Sequence, residues 1–463
     1  MSSFNPNLTY YLERLQGFST NIFRLESQAR TTATPNQIVT FDLPSNSIVN
    51  LRSFKVFCNC QLTGDNARMP PINDFVERVE VSVGGIVLSQ GSNFMNVLQE
   101  CKKVLGVDYC DAVMSHPEYV RATSYVDGAT FADPAPESYL SSSDPRFCIE
   151  NLEGFLSSAE PKLLDTSLIP DLRIRLYMAG VEILSNPAGI VLTNADGDLI
   201  NSIGADGTGD ATYTLSDLHA HIECIGLADA TYDNMLSSMM SSQGFLEIPY
   251  KAYTSFTDTH TGSSRFSVST ACLDKIWVAW RLDGYDVRGG LKRVAGHKIT
   301  GGFVSPTAGV GTNTDIGVPT YDVGGVLDTN KEKYRGKYFN FAQPVANWGQ
   351  QIQLNGAYFP QYSAQSGDTF QITKNSLHGN EKLKNMSLDQ YLNNYCVQCY
   401  RLNMPDSEYS RLLSGLDTRA VNLQGILKTT GAIPASDNTN VSIFTEQTEV
   451  LRVGAGRAVE VIS

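Results

Sequence analysis

Two stretches of the chain carry the same change of rhythm. In residues 266–284, Phe266, Val268 and Thr270 alternate with Ser267 and Ser269. The alternation stops at residues 272–275 and resumes with Ile276, Val278 and Trp280 set against Trp277, Ala279 and Arg281. A period of two is that of a half-buried strand, so the pattern predicts strand, tight connection, strand. Residues 38–64 repeat it. Val39, Phe41 and Leu43 mark a short strand, Pro44-Ser45-Asn46 breaks it, residues 48–52 continue the break, and Phe54, Val56 and Cys58 mark the second strand. Each copy is followed by a hairpin pattern, residues 78–91 and 350–362, turning on Gly84-Gly85 and Asn355-Gly356, dipeptides that tight turns require. Each hairpin is followed by a predicted helix. The first spans 93–105, with Phe94, Val97, Leu98, Cys101, Val104 and Leu105 on one face; the second spans 388–402, started by a Ser387–Gln390 capping box. Strand, strand, hairpin, helix, twice over, predicts two copies of one β domain.

The remaining segments fit around this duplication. Residues 1–36 are polar with scattered aromatics and read as an N-terminal arm. Residues 107–147 lack periodicity and read as an exposed excursion. Leu172, Ile174 and Leu176 alternate with Arg173 and Arg175, a strand, and a second strand is expected over 218–227. A helix over 229–243, stopped by Gly244, links the halves. The second half opens with a strand-like stretch over 245–256 and carries a Gly/Thr/Val-rich loop over 288–336; the chain ends in strand-like segments. The expected organisation is an arm (1–36) and two units (37–244 and 245–463), all-β, with a few short helices and long surface loops.

Composition narrows the function. Charged residues are 18% of the 463, below the ~25% of an average soluble protein, as suits a chain whose outer surface is covered by neighbours. A net charge of −13 with no basic run argues against a coat for phosphates and against sequence-specific nucleic-acid binding. The first twenty residues lack an apolar core, so no signal peptide is expected, and no stretch is long and apolar enough to span a membrane. Nine scattered cysteines then read as reduced thiols. Cys58 and Cys60 share a strand face, and Cys396 and Cys399 fall on the predicted second helix; neither pair has a partner pair for zinc, so both read as small core residues. Asp196, Asp198, Asp206 and Asp210 miss the calcium-loop spacing and its closing Glu. His219 and His221 share a strand face without a third ligand. His116, His260, His297 and His378 lie in no catalytic motif, and no nucleophile–base pair or glycine-rich phosphate loop appears. The Asn-x-Ser/Thr sequons at Asn7, Asn385 and Asn440 carry no meaning without secretion. No catalytic residue, metal or cofactor is expected.

Taken in order, the runs at 41–54, 75–85, 248–256, 265–281 and 352–361 resemble the double jelly-roll major capsid proteins of small eukaryotic double-stranded DNA viruses, the polinton-like virus and virophage kind. The resemblance covers both halves; the insertions at 193–211 and 288–336 have no match in it. It implies two tandem eight-stranded jelly-roll β-sandwiches standing side by side, and a homotrimer whose six jelly rolls fill a pseudo-hexagonal position in an icosahedral shell. Implied partners are further copies, neighbouring capsomers, and penton and minor capsid proteins, with room for an inner membrane; the implied location is the virion. The two unmatched insertions are expected to be exposed or inter-subunit loops, and the two termini to be contacts at the base. A carbohydrate-binding or glycoside-cleaving β-sandwich, with Tyr- and Trp-bearing loops around a groove, is the competing reading.

Overall fold

The structure is a computed structural model. It describes residues 18–28, 30–63, 70–88, 94–105, 147–184, 190–193, 199–203, 212–227, 238, 241–242, 244–281, 291–293, 334–339, 341, 343–344, 348–377, 388, 391–392, 396–404, 414–419, 423–431 and 440–463. The first unit contains β1 (Phe18–Glu26), β2 (Ile38–Asp42), β3 (Ile48–Thr63), β4 (Val76–Val83), β5 (Ile86–Val87), α1 (Met95–Leu105), β6 (Phe147–Ile149), α2 (Phe155–Ser158), β7 (Leu163–Asp165), β8 (Leu172–Met178), β9 (Ile190–Thr193), β10 (Leu199–Ile203) and β11 (Thr212–Leu227). The second contains β12 (Phe245–Thr259), β13 (Ser263–Val268), β14 (Leu273–Arg281), β15 (Leu291–Arg293), β16 (Tyr334–Gly336), β17 (Gly349–Leu354), β18 (Ala357–Gln365), α3 (Ser366–Ser376), β19 (Val397–Arg401), β20 (Leu423–Thr430), β21 (Asn440–Gly454) and β22 (Val459–Ile462).

Each unit is a sandwich of two antiparallel four-stranded layers. The first unit's layers run β1-β11-β3-β6 and β2-β8-β4-β5; the second unit's run β12-β21-β14-β19 and β13-β20-β17-β18. Leaving out the short accessory strands and numbering the eight principal strands of each unit in chain order, both read 1-8-3-6 and 2-7-4-5. The duplication read from the pattern is therefore a duplication of topology. The change of rhythm that revealed it is the point where the chain crosses between layers, from β2 to β3 and from β13 to β14. Alternation holds where one face is wet: β8 buries Leu172, Ile174, Leu176 and Met178 and leaves the residues between them half-exposed. Both hairpins turn with two successive positive φ angles, 57° and 88° at Gly84-Gly85 and 46° and 87° at Asn355-Gly356, the geometry that matches strand twist.

Several expectations are corrected. The breaks are shorter than the pattern suggests: β3 already begins at Ile48 and β14 at Leu273. Residues 18–26 of the expected arm form β1, which occupies in the first sheet the place that β12 holds in the second. The helix expected over 388–402 is shorter: Leu388, Tyr391 and Leu392 are helical, but its C-terminal part is strand, and a further helix precedes it. Helix α3 lies earlier, and residues 397–401 are β19, paired with β14. The pattern hides α3 because its buried stripe is Thr369, Thr373 and Ser376, polar residues whose hydroxyls donate back to the carbonyls of Ser366, Thr369 and Ile372. Its capping box is formed by Gln365 and Asp368; Ser387 and Gln390 lie outside the described residues, as do Val104 and Leu105 as side chains. Of the linking helix over 229–243, Ser238, Ser241 and Ser242 are helical and the rest is outside the described residues; Gly244 follows at φ 77°. Residues 106–146, 194–198, 204–211 and 294–333 are likewise outside, and β9–β10 and β15–β16 pair at the flanks of the last three.

Candidate assembly surfaces

Strand β14 is buried at every position. Its two faces serve two cores. Ile276, Val278 and Trp280 point into the second sandwich with Ile352, Leu354, Leu427 and Ile443. Trp277 and Ala279 point the other way and join a cluster that continues into the first unit. The outer face of the sheet β12-β21-β14-β19 is thus a seam between the units rather than a wetted surface.

The seam is apolar at its centre and polar at defined points. Phe155 of α2 meets Tyr250 edge-on, ring centroids 5.2 Å apart. Lys102 of α1 donates to Glu153 (3.1 Å) and to the Tyr253 hydroxyl (2.9 Å), with its ammonium 4.7 Å from the Tyr253 ring centre and 5.9 Å from that of Trp277. The Glu160 amide donates to the Pro249 carbonyl and the Lys251 amide to the Ser158 hydroxyl. Arg281, fully buried, lies 5.5 Å from the Phe94 ring centre and 4.4 Å from that of Tyr338. Burial would raise the Glu446 carboxyl, but the ammonium groups of Lys275, Lys102 and Lys251 and the Trp277 N–H hold it down at about 2. The Tyr250 hydroxyl sits 2.7 Å from the Leu88 carbonyl and 2.6 Å from a Glu449 carboxyl oxygen. One phenolic proton cannot serve both acceptors, so the geometry calls for a proton on Glu449, whose carboxyl burial pushes up.

The first unit carries a counterpart of this face. On β14, Trp277 stands beside Phe444 of β21 and Cys399 of β19; on β3, Phe57 stands beside His219 of β11 and Cys148 of β6. Two residues earlier, Lys275 opposes Glu446 and Lys55 opposes His221. Phe57 stacks on His219 (5.7 Å between centroids) and lies 4.6 Å from His221. The segments 55–60 and 275–280 are thus the same piece of the same strand. The chain has the double jelly-roll fold.

Solved structures agree. The chain is similar to the quasi-atomic model of the PBCV-1 virus capsid over 98% of both chains, with 12% identity and a TM-score of 0.54. It is similar to PBCV-1 VP54, fitted into a reconstruction of the virophage Sputnik, with 12% identity, 98% coverage of each chain and a TM-score of 0.55. The Faustovirus major capsid protein matches 96% of this chain over 92% of its own, with 10% identity and a TM-score of 0.53. Neither a protein-family model nor a curated protein matches the sequence. The fold of this chain is that of viral double jelly-roll major capsid proteins.

The described residues among those weighed for chemistry are not brought together. Cys396 and Cys399, expected on one helix, lie directly before β19 and within it, and belong to different cores. Cys58 and Cys60 line the first core, and every described cysteine is a free thiol. His219 accepts a place beside the Asp217 carbonyl (2.8 Å) on a sheet face. Burial lowers the His221 imidazole, and His219 and Arg24 push the same way. His260 is buried between the Ser264 and Thr429 hydroxyls, at 2.6 and 2.8 Å, edge-on to Trp280. Asn440 is buried at the start of β21, where no glycan fits. Among the described residues no three His, Cys, Asp or Glu side chains are grouped to hold a metal. His116, His297, His378, Asp196, Asp198, Asp206, Asp210, Asn7 and Asn385 lie outside the described residues. All three tryptophans are fully buried, so none lines a sugar-binding groove.

Proposed function

We propose that this protein is a major capsid protein, a non-enzymatic structural subunit that forms a homotrimeric, pseudo-hexameric capsomer and tiles an icosahedral virus shell. The observation that carries the reading is the duplicated topology, with its two units joined along a packed seam. A chain holding two similar wedges fills a sixfold position with threefold symmetry alone. The likeness in fold to capsid proteins over almost the whole chain supports the same reading. Its partners are then further copies of itself, neighbouring capsomers, and penton and minor capsid proteins, and its place is the virion. The insertions around 193–211 and 288–336 suit the outer or inter-subunit surfaces of such a capsomer.

Light scattering on the purified chain tests this. The expected species has three times the chain mass of 50.6 kDa. A monomer that persists across concentration and salt overturns the capsomer reading and turns attention to glycan binding, the competing function for a β-sandwich.

A further inference from the structure

Two surfaces meet at the seam inside the chain: the outer face of the second unit's 1-8-3-6 sheet and the α1–α2 region of the first unit. Each has a counterpart on the other unit, and among the described residues neither counterpart is covered by the rest of the chain. The contrast between the helices shows what is missing. In α1, Met95–Cys101 is buried throughout, including the polar Asn96, Gln99 and Glu100, because the first unit's β4 packs on one side and the second unit on the other. Helix α3 follows the fifth strand of its unit as α1 does. It packs on β19 and β18 but leaves Gly367, Gln371, Lys374 and Asn375 exposed. The complementary patch is the outer face of β1-β11-β3-β6. There Arg24, His221 and Lys55 form one row across three strands, and Glu26, His219, Phe57 and Cys148 the next. Beside these rows, on the same face, Ile22 of β1 is 66% exposed.

We infer that the face bearing Phe57 and His221 docks the α3 side of a second copy of this chain, as the face bearing Trp277 and Glu446 docks the α1 side of its own. The inference rests on the capsomer reading and deepens it by naming the two surfaces and their polarity. The occupant is a second copy because the patch repeats, position for position, a surface this chain already buries against itself. The contact is head to tail: one face of each kind remains per chain, so each copy offers a face and a helix, and the chain of contacts can close into a ring. In the seam, Lys102 of α1 lies over Tyr253 and Trp277. Lys374, near the end of α3, is the cation available to lie over the Phe57–histidine cluster.

The experiment uses the full chain and three variants: Phe57→Glu, His221→Glu as a milder change on the same face, and the double change Gln371→Glu with Lys374→Glu on α3. Circular dichroism and melting establish that each is folded. Sedimentation at micromolar concentration is expected to give a trimer for the unaltered chain and a trimer dissociation constant raised at least tenfold for each variant. At high micromolar concentration, a face variant mixed with the α3 variant is expected to form a one-to-one pair, since one intact face and one intact helix remain between them. A folded face variant or α3 variant that stays trimeric, or a mixture that fails to pair, overturns the inference and leaves the capsomer reading standing. A monomeric unaltered chain removes both.

Discussion

Three buried ionisable side chains, His260 within the second sandwich and Glu446 and Glu449 at the seam, have protonation states that can be read in stability. Burial lowers the His260 imidazole from 6.5 to about 4. A base whose folded value is depressed stabilises the fold above its unfolded value, and that contribution is lost as pH falls through 6.5 toward 4. Urea unfolding of the intact chain should therefore lose about 2 kcal/mol between pH 6.5 and 5, and His260→Asn should be less stable but lack that slope. Glu446 and Glu449 make a second comparison. Glu446 faces Lys275 at 3.9 Å, with both side chains almost fully buried. Glu446→Gln removes the counter-charge that the buried Lys275 faces and should cost about 3–5 kcal/mol. Glu449→Gln keeps a donor for Tyr250 and an acceptor for Gln447 and should cost less than about 1 kcal/mol. Equal costs measured for the two would refute a protonated Glu449.

Strands and helices carry the next level. Gly425 of β20 pairs with Phe266 of β13, and the Phe266 ring covers it so closely that a Cβ there would stand 2.2 Å from a ring carbon. Phe266 is itself buried in the second core, so the ring has little room to retreat. Gly425→Ala should cost about 1–3 kcal/mol by overpacking, read as a shift in the urea midpoint. Stability unchanged by that substitution would mean that the sheet yields at this point. Strand β1 poses the opposite problem: Ile22 and Phe23 lie on opposite faces and both stand exposed, at 66% and 45%. An edge strand wetted on both sides is what proteins cover or blunt. In a capsomer the outer face of β1 is part of the proposed docking surface.

At the scale of the whole molecule, the units are joined by a continuous core rather than by a tether. Residues of β2, β3, β4 and β8 belong to the same buried cluster as Trp277, Phe444, Tyr391 and Leu451. Such a seam fixes the angle between the units, which the proposed ring of six units needs. The buried polar contacts through Lys102, Tyr250 and Arg281 add direction to that fit, because each admits few arrangements that leave it satisfied. A mixture of units free to swing would close into no single ring; a fixed seam repeated between chains would.

Much of this was legible in the chain itself. Period-two alternation at Val39–Phe41, Leu172–Leu176 and Phe266–Val268 reports strands with one wet face, and the two dipeptide turns report their hairpins, because those signals are local. The duplication was legible too, since each copy repeats the crossing between layers. Tertiary structure decided the rest. Alternation at Ile276–Trp280 suggests a half-wet strand, yet both faces are dry, because the first unit covers the side that Trp277 and Lys275 occupy. Cys396 and Cys399 follow a helical spacing, but Cys399 lies in β19 and Cys396 directly before it, because pairing with β14 outweighs local preference. Helix α3 is invisible as an amphipathic pattern, because its buried threonines satisfy their hydroxyls on its own backbone. Hydrophobic pattern records which residues leave water; which partner they meet is settled only when distant segments come together.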